Sequence, residues 1–265
     1  MLSLNDFREK RLVICFAGEG QKLSFKNDNL LVKDKDDEIL VQATCYKIYS
    51  VWIIGHATLT TGILERSRKF GFSIYLHSYG HRLYGQWCSA TEGNFLLRKK
   101  QYEYQGLEIA KYLVSNKIAN QRSLLKSIRD KPLTLKEGIL NLEDYEKRLN
   151  HAQDIHTVLG IEGMASRIFF GHWYRDLNWK SRRPRTKIDP VNATLDIGYT
   201  YLFNFVESML HLYGFDVYQG VYHRCFYQRK SLVCDLVEPF RCIVDKQIKK
   251  AWSLKQMQLK DFVED

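Results

Sequence analysis

At 265 residues the chain is long enough to bury a real core, and its length suits one large domain or two smaller ones. Hydrophobic residues at 45% and aromatics at 13% exclude a disordered composition. Lys and Arg total 40 against 30 Asp and Glu, a net charge of +10 that favours nucleic acid or an acidic membrane surface as partner, although a basic surface serving only solubility gives the same sum.

Short β-rich segments come first, at Arg11–Ala17, Leu30–Val32, Ile39–Ala43, Tyr49–Ile54 and Ser73–Leu76. Turn formers separate them, among them Gly18-Glu19-Gly20 and Asp34-Lys35-Asp36-Asp37, and this spacing predicts an antiparallel sandwich or sheet. A short helix is predicted over Leu59–Lys69, closed by Gly71. From Phe95 onward the apolar period becomes helical. Leu107, Ala110, Val114 and Ile118 predict a long amphipathic helix through Tyr102–Ser115 and beyond. Another helix is expected between Glu162 and Trp173. A third follows the stripe Leu195, Tyr199, Leu202, Val206, Met209 and Tyr213, with Pro190 and Asn192 ahead of it and Gly214 as its cap. The last runs from about Asp235 toward Leu259. Stripes of this kind face a core and carry no functional argument. The expected architecture is α+β and multidomain: a small N-terminal β domain over 1–88 and a larger all-α domain over 89–265, with the connector near Gln86–Gly93.

The cysteines (Cys15, Cys45, Cys88, Cys225, Cys234 and Cys242) form no CxxC pair, which predicts free thiols in a reducing compartment rather than a zinc ribbon or disulfide scaffold. The apolar run Leu12–Ala17 makes no signal peptide, and no run approaches the roughly 18 apolar residues of a membrane span. The expectation is a cytoplasmic protein with no membrane partner.

Between Arg175 and Lys187 lie six basic residues, Arg175, Lys180, Arg182, Arg183, Arg185 and Lys187, against one acid, with Trp173 and Trp179 close by. Such cations make sequence-independent phosphate contacts, and aromatic rings stack on exposed bases. A solvated loop between helices has the same composition. Its position between two candidate metal-ligand segments favours nucleic acid.

Those segments are Gly160-Ile-Glu162-Gly163-Met-Ala165, Gly220-Val-Tyr-His223-Arg224 and Asp235-Leu-Val-Glu238-Pro239-Phe240-Arg241. Carboxylates with one imidazole suit Mg²⁺ or Mn²⁺ acting on phosphodiesters. Spacing alone leaves a structural reading open. Glu162 would open a helix and complement its dipole, His223 would be a hydrogen-bonded structural residue, and Asp235 with Glu238 would form a capping box. The capping box has a weakness, because it places Pro239 inside the first turn.

The wording and order of the strings then decide. "IEGMASRIFF", "SRRPRTKIDPVNATLDIGYTYL", "YGFDVYQGVYH" and "SLVCDLVEPFR", preceded by "RKKQYEYQGLEIAKYLVSNKIANQRSLL" and "WIIGHATLTTGILERSRKFGFSIYLHSYG", closely resemble the CRISPR adaptation integrase family, the universal first Cas protein. The resemblance spans most of the chain. It implies an N-terminal β domain for dimerisation and partner contacts and a C-terminal helical catalytic domain. It implies Glu162, His223 and Glu238 as ligands of Mg²⁺ or Mn²⁺, with Asp235 supporting the site and contributing to activity. Arg182, Arg183 and Asn192 match positions for substrate or site support. With Arg175, Lys180, Arg185 and Lys187 of the loop, and Arg224 and Arg241 beside the ligands, they are the expected DNA contacts. Two small departures, Arg185 after Pro184 and Cys242 after Arg241, touch the loop rather than the ligands. The implied activity is that of a metal-dependent DNA endonuclease and integrase. The implied partners are double-stranded DNA with 3′ overhangs, CRISPR repeat DNA, a second copy of the chain and a small ferredoxin-like adaptation protein. A non-catalytic architectural DNA binder and a metal nuclease of DNA repair are the alternatives.

Overall fold

The computed structural model describes residues 4–89, 94–177, 179–186, 189–223 and 226–262. They form two compact units, Met1–Tyr102 with Glu207–Asp216, and Glu103–Val206 with Val217–Asp265.

The first unit starts with α1 (Leu4–Glu9), β1 (Arg11–Phe16), β2 (Lys22–Lys26), β3 (Asn29–Lys33), β4 (Ile39–Thr44) and β5 (Ile48–Ile54). It continues with α2 (Thr61–Phe70), β6 (Ser73–His77), β7 (Leu83–Trp87) and α3 (Phe95–Glu103). Strands β2, β3 and β4 make an antiparallel meander, as expected. The other sheet corrects the expectation of an antiparallel arrangement: its order is β1-β5-β6-β7, and β1, β5 and β6 run parallel. A parallel pair needs a crossover, and α2 supplies the one from β5 to β6. All seven residues of β5 are buried, so this strand is covered on both faces and shows a continuous run instead of alternation. Val13, Leu30, Val32, Val51, Ile53, Ile63, Phe72 and Ile74 draw both sheets and α2 into one core.

Gly71 closes α2 as predicted, at φ 76°, with its N–H on the Ser67 carbonyl. Two strands escaped the pattern reading. β2 (Lys-Leu-Ser-Phe-Lys) is more than half polar, and β7 contains Gly85 and takes in Gln86 and Trp87, so the strand occupies the start of the expected connector.

The second unit is helical. It holds α4 (Glu108–Ser127), α5 (Leu133–Asn150), α6 (Ile155–Trp173), most of α7 (Pro190–Tyr213), α8 (Ser231–Val237) and α9 (Arg241–Ser253). Val114, Ile118, Leu125, Leu142, Val158, Ala165, Phe169 and Leu195 lie in its core. The long helix expected through Tyr102 begins later, because residues up to Glu103 belong to α3. Helix α6 also begins earlier than expected. Asp154 caps it by accepting the Thr157 N–H at 2.9 Å, so Glu162 sits in mid-helix and does not open it. The single helix expected from Asp235 is broken by a 3₁₀ turn at Glu238–Phe240, where Pro239 lacks an N–H and its ring opposes a continuous α-helix. Asp235 is therefore inside α8 rather than at an N-cap.

The free cysteines include Cys15, Cys45, Cys88, Cys234 and Cys242, while Cys225 lies outside the described residues. Among the described residues no helix is long and apolar enough to cross a membrane.

Candidate metal and nucleic-acid site

Helix α4 buries one stripe, Ala110, Leu113, Val114, Lys117, Ile118, Gln121 and Leu125. A lysine on that stripe needs compensation, since an unpaired buried ammonium is costly. The compensation comes from α6 and from the turn after α8. Lys117 Nζ donates to Glu162 Oε1 and, at 2.6 Å, to Glu238 Oε2. Ser166, one helical turn beyond Glu162, donates to the same Oε1 at 2.9 Å. Arg241 grips Glu238 bidentately, with Nε and Nη2 each 2.9 Å from a carboxylate oxygen. Asn120 Nδ2 donates to the Pro239 carbonyl at 2.8 Å and pins the turn that carries Glu238 to α4.

Burial alone would raise the pKa of Glu238. The charges of Lys117 and Arg241 outweigh it and hold the carboxyl at about 2. Burial likewise pulls Lys117 down, but its two carboxylate partners prevail and its pKa is raised. The pair is therefore ionised across the whole physiological range.

His223 is placed by Asp235. Asp235 is fully buried, and its Oδ2 accepts the N–H groups of Val221 (2.6 Å) and Tyr222 (3.0 Å). Its Oδ1 takes the His223 N–H at 2.8 Å and the His223 imidazole Nδ1 at 2.7 Å. One carboxylate thus folds the 221–223 turn and engages Nδ1 of the ring, which leaves Nε2 for another partner, the usual arrangement behind a metal-ligating histidine. Gly220 makes this possible, because a Cβ there would lie 2.7 Å from Asp235 Oδ2 and 2.8 Å from Ser231 Cβ. The buried Tyr222 ring packs edge-on against the His223 ring, with centroids 4.7 Å apart. Its pKa is raised by burial first and then by the charges of Glu162, Glu238 and Asp235.

The structure thus brings Glu162 and Glu238 together around one buried positive charge, and His223 together with Asp235. Among the described residues no three His, Cys, Asp or Glu side chains converge closely enough to enclose an ion. Lys117 stands between the two acids. The donor set nonetheless fits a hard divalent cation: two carboxylates bracket a cation position, and an imidazole is held by a buried carboxylate.

Lys117, Glu162, Glu238 and Arg241 line a groove of about 1280 Å³ together with residues of α6, α7 and the basic loop, including Arg167, Lys180, Arg182 and Arg185. Gly163 and Gly171 face it where an added Cβ would meet nothing within 4 Å. Helix α7 holds the loop. Buried Asn192 accepts from Arg182 Nη1 (3.0 Å) and the Arg183 N–H (2.9 Å), and its amide donates to the Ser181 carbonyl (3.0 Å). Asp196 pairs with Arg182 Nη2 at 2.5 Å and accepts the Arg185 N–H at 2.9 Å. With its backbone fixed, the loop leaves Arg183, Arg185 and Lys180 exposed, and Arg175 is exposed on the 3₁₀ turn after α6. Of the expected DNA contacts, Asn192 is fully buried and spends its amide on the loop, and Arg182 and Arg241 are committed to carboxylates. Lys187 and Arg224 lie outside the described residues.

Tyr199, also in the groove lining, has the guanidinium groups of Arg241 (4.6 Å) and Arg182 (5.4 Å) over its ring and donates to Asp245 Oδ1 at 2.8 Å. Tyr174 donates to the same oxygen at 2.9 Å. Asp245 is almost completely buried, and burial raises its pKa to about 6 in spite of these donors.

Lys117, Asp196 and Asp245 were not singled out from the sequence. For Lys117 a signal existed, since a lysine shares the helical period of a mostly apolar stripe. For Asp196 and Asp245 none did, because their partners are far away in sequence.

Residues 14–265 match the family described as CRISPR associated protein Cas1. The CRISPR-associated endonuclease Cas1 1 of Thermodesulfovibrio yellowstonii is 32% identical over 228 residues, covering 81% of this chain and 72% of the relative. Among solved structures, a partial Cas6-RT-Cas1 complex with Cas2 superposes with a TM-score of 0.75 at 24% identity, covering 96% of this chain and 79% of that one. A casposase bound to integration product superposes with a TM-score of 0.69 at 20% identity, covering 96% of this chain and 75% of that one. The chain belongs to the Cas1 family of CRISPR-associated proteins.

Proposed function

We propose that this chain is a metal-dependent DNA endonuclease and integrase of CRISPR adaptation, which inserts short DNA at a CRISPR repeat. The observation that carries the reading is the pair Glu162 and Glu238, set about a single cation position in the lining of a groove rich in basic residues. Mg²⁺ or Mn²⁺ would be held by Glu162, Glu238 and His223, and when bound it supplies Lewis-acid stabilisation of charge on the phosphate. The chain's own residues do the rest. Lys180 and Arg185 meet phosphates along the groove, the exposed Arg175 and Arg183 meet them on the adjoining chain segments, and the bare helix wall at Gly163 and Gly171 leaves room for a sugar–phosphate backbone. Asp235 fixes the direction of the His223 ring. In strand joining, the 3′-hydroxyl oxygen of the incoming DNA bonds to the target phosphorus. The bond to the departing strand's 3′-oxygen breaks, that oxygen takes up a proton, and the attacking hydroxyl loses one. Water in place of the incoming hydroxyl gives hydrolysis.

The relatives support this reading: one is called an endonuclease, and a protein of the same fold was solved on an integration product. The assembly of another with Cas2 supports a second protein as partner, for which a small adaptation protein is proposed here; a second copy of this chain is proposed besides.

The test is joining of a labelled short duplex with 3′ overhangs into repeat-bearing supercoiled plasmid, with Mn²⁺ or with EDTA. Glu162→Ala, His223→Ala and Glu238→Ala should each lower joining by at least about a thousandfold while duplex binding largely survives. Near-native joining by any one of them would remove that residue from the site. Binding that EDTA leaves intact, with no product from wild type plus partner, would favour an architectural role. Cleavage without joined product would favour a nuclease of repair.

A further inference from the structure

We infer that Lys117 is a built-in stand-in for the divalent cation, occupying the position between Glu162 and Glu238 until an ion displaces its side chain. The inference rests on the metal-site reading above and adds a component to it.

Glu162 and Glu238 share Lys117 as a counter-ion, and with the side chains of Lys117 and Glu238 only 7% and 8% exposed and that of Glu162 20%, the two acids need a positive charge between them. Two cations serve Glu238, and they differ in how firmly they are held. Arg241 lies three residues from its partner, grips both carboxylate oxygens and stacks on Tyr199, so it is fixed on three sides. Lys117 comes from another helix on a flexible four-carbon stem and presents a point charge to one oxygen of each acid. It also lines the groove, so the ammonium has a way out into a space bordered by Arg167, Lys180 and Arg182. An ion entering from the groove therefore meets one labile occupant and two acids already set in place by Ser166 and Arg241. The displaced ammonium arrives where a phosphate of bound DNA would lie, which makes metal and DNA binding mutually favourable.

The experiment uses the full-length chain without DNA. Free Mn²⁺ is titrated by its paramagnetic resonance signal against wild type, Lys117→Met, Lys117→Arg and Glu238→Gln. Lys117→Met should bind Mn²⁺ at least about tenfold more tightly than wild type. It should melt below wild type in EDTA and regain that loss with Mn²⁺, whereas Lys117→Arg should not gain affinity. In wild type, amine-reactive labelling read by peptide mass spectrometry should find Lys117 protected in EDTA and several-fold more reactive at saturating Mn²⁺. This readout decides the matter even where the methionine variant does not fold. Wild type that binds Mn²⁺ through Glu238 while Lys117 stays protected would overturn the inference, as would folded Lys117→Met with unchanged or weaker affinity. Either result would leave the metal site standing. Wild type that binds no more Mn²⁺ than Glu238→Gln would instead fail the metal-site reading, and the inference with it.

Discussion

Asp235 and Asp245 are both buried aspartates and do opposite things. Asp235 receives three backbone N–H groups and an imidazole nitrogen, so its burial is repaid by hydrogen bonds that shape the His223 turn. Asp245 receives two phenols on one oxygen, and burial wins, raising its pKa to about 6 from 3.8. Because the folded value is the higher one, the associated stability is complete below pH ~4 and is lost as pH rises through about 6. The loss above that window is on the order of 3 kcal/mol, of which roughly 1 kcal/mol falls between pH 5 and 8. Asp245→Asn keeps an oxygen for both tyrosines and removes the titration, although Arg241 and Lys117 lose an attractive neighbour. Its melting temperature relative to wild type should therefore be a few degrees more favourable at pH 8 than at pH 5. A difference that does not change with pH, measured by calorimetry in matched buffers, would show that Asp245 is not strained by its charge.

At the scale of elements, the basic loop and α7 work as one unit. Asn192 and Asp196, one helical turn apart, take the backbone of Ser181, Arg183 and Arg185, so the helix fixes where the exposed cations stand. A purely electrostatic account and a positional one disagree about Asp196→Ala. Removing an acid beside six basic residues should tighten DNA binding if charge alone matters. If the loop must be held, the variant frees Arg182 and Arg185 and weakens binding, by about 3- to 10-fold at moderate salt. The weaker binding is expected here, and fluorescence anisotropy with a short duplex decides it. The break at Pro239 serves the same end. A continuous helix would carry Glu238 along one face of α8, whereas the 3₁₀ turn, pinned through the Pro239 carbonyl by Asn120, brings Glu238 to Lys117.

For the whole molecule, β4 ends its three-stranded sheet, and Ile39, Leu40 and Val41 there are 53%, 52% and 41% exposed. An apolar edge strand left open invites pairing, which natural proteins avoid unless it is used. The proposed pairing of two copies is expected to use this edge. Light scattering should give a dimer at micromolar concentrations, and Leu40→Lys should weaken it at least about tenfold. A monomeric wild type, or a variant that dimerises unchanged, would reject that surface.

Much of this molecule was legible in one dimension. Composition and hydrophobic period separated the β-rich N-terminal part from the helical remainder, and Gly71 and Gly214 marked helix ends, because turns, caps and amphipathic faces are local properties. The strings around Glu162, His223 and Glu238 singled out candidate ligands by residue type and order. Strand direction was not legible, since β5 carries one nearly continuous apolar run, broken only by Ser50, whether its neighbours run with it or against it. Nor were the partners of the candidate residues. Lys117 lies 45 residues from Glu162 and 121 from Glu238, and only the packing of α4 against α6 and the Pro239 turn brings those charges into contact. Hydrogen bonds and ion pairs act over a few ångströms of space and are indifferent to distance along the chain. The tertiary structure alone therefore decided what stands between the two glutamates, which residues hold the basic loop, and which of its cations are left exposed.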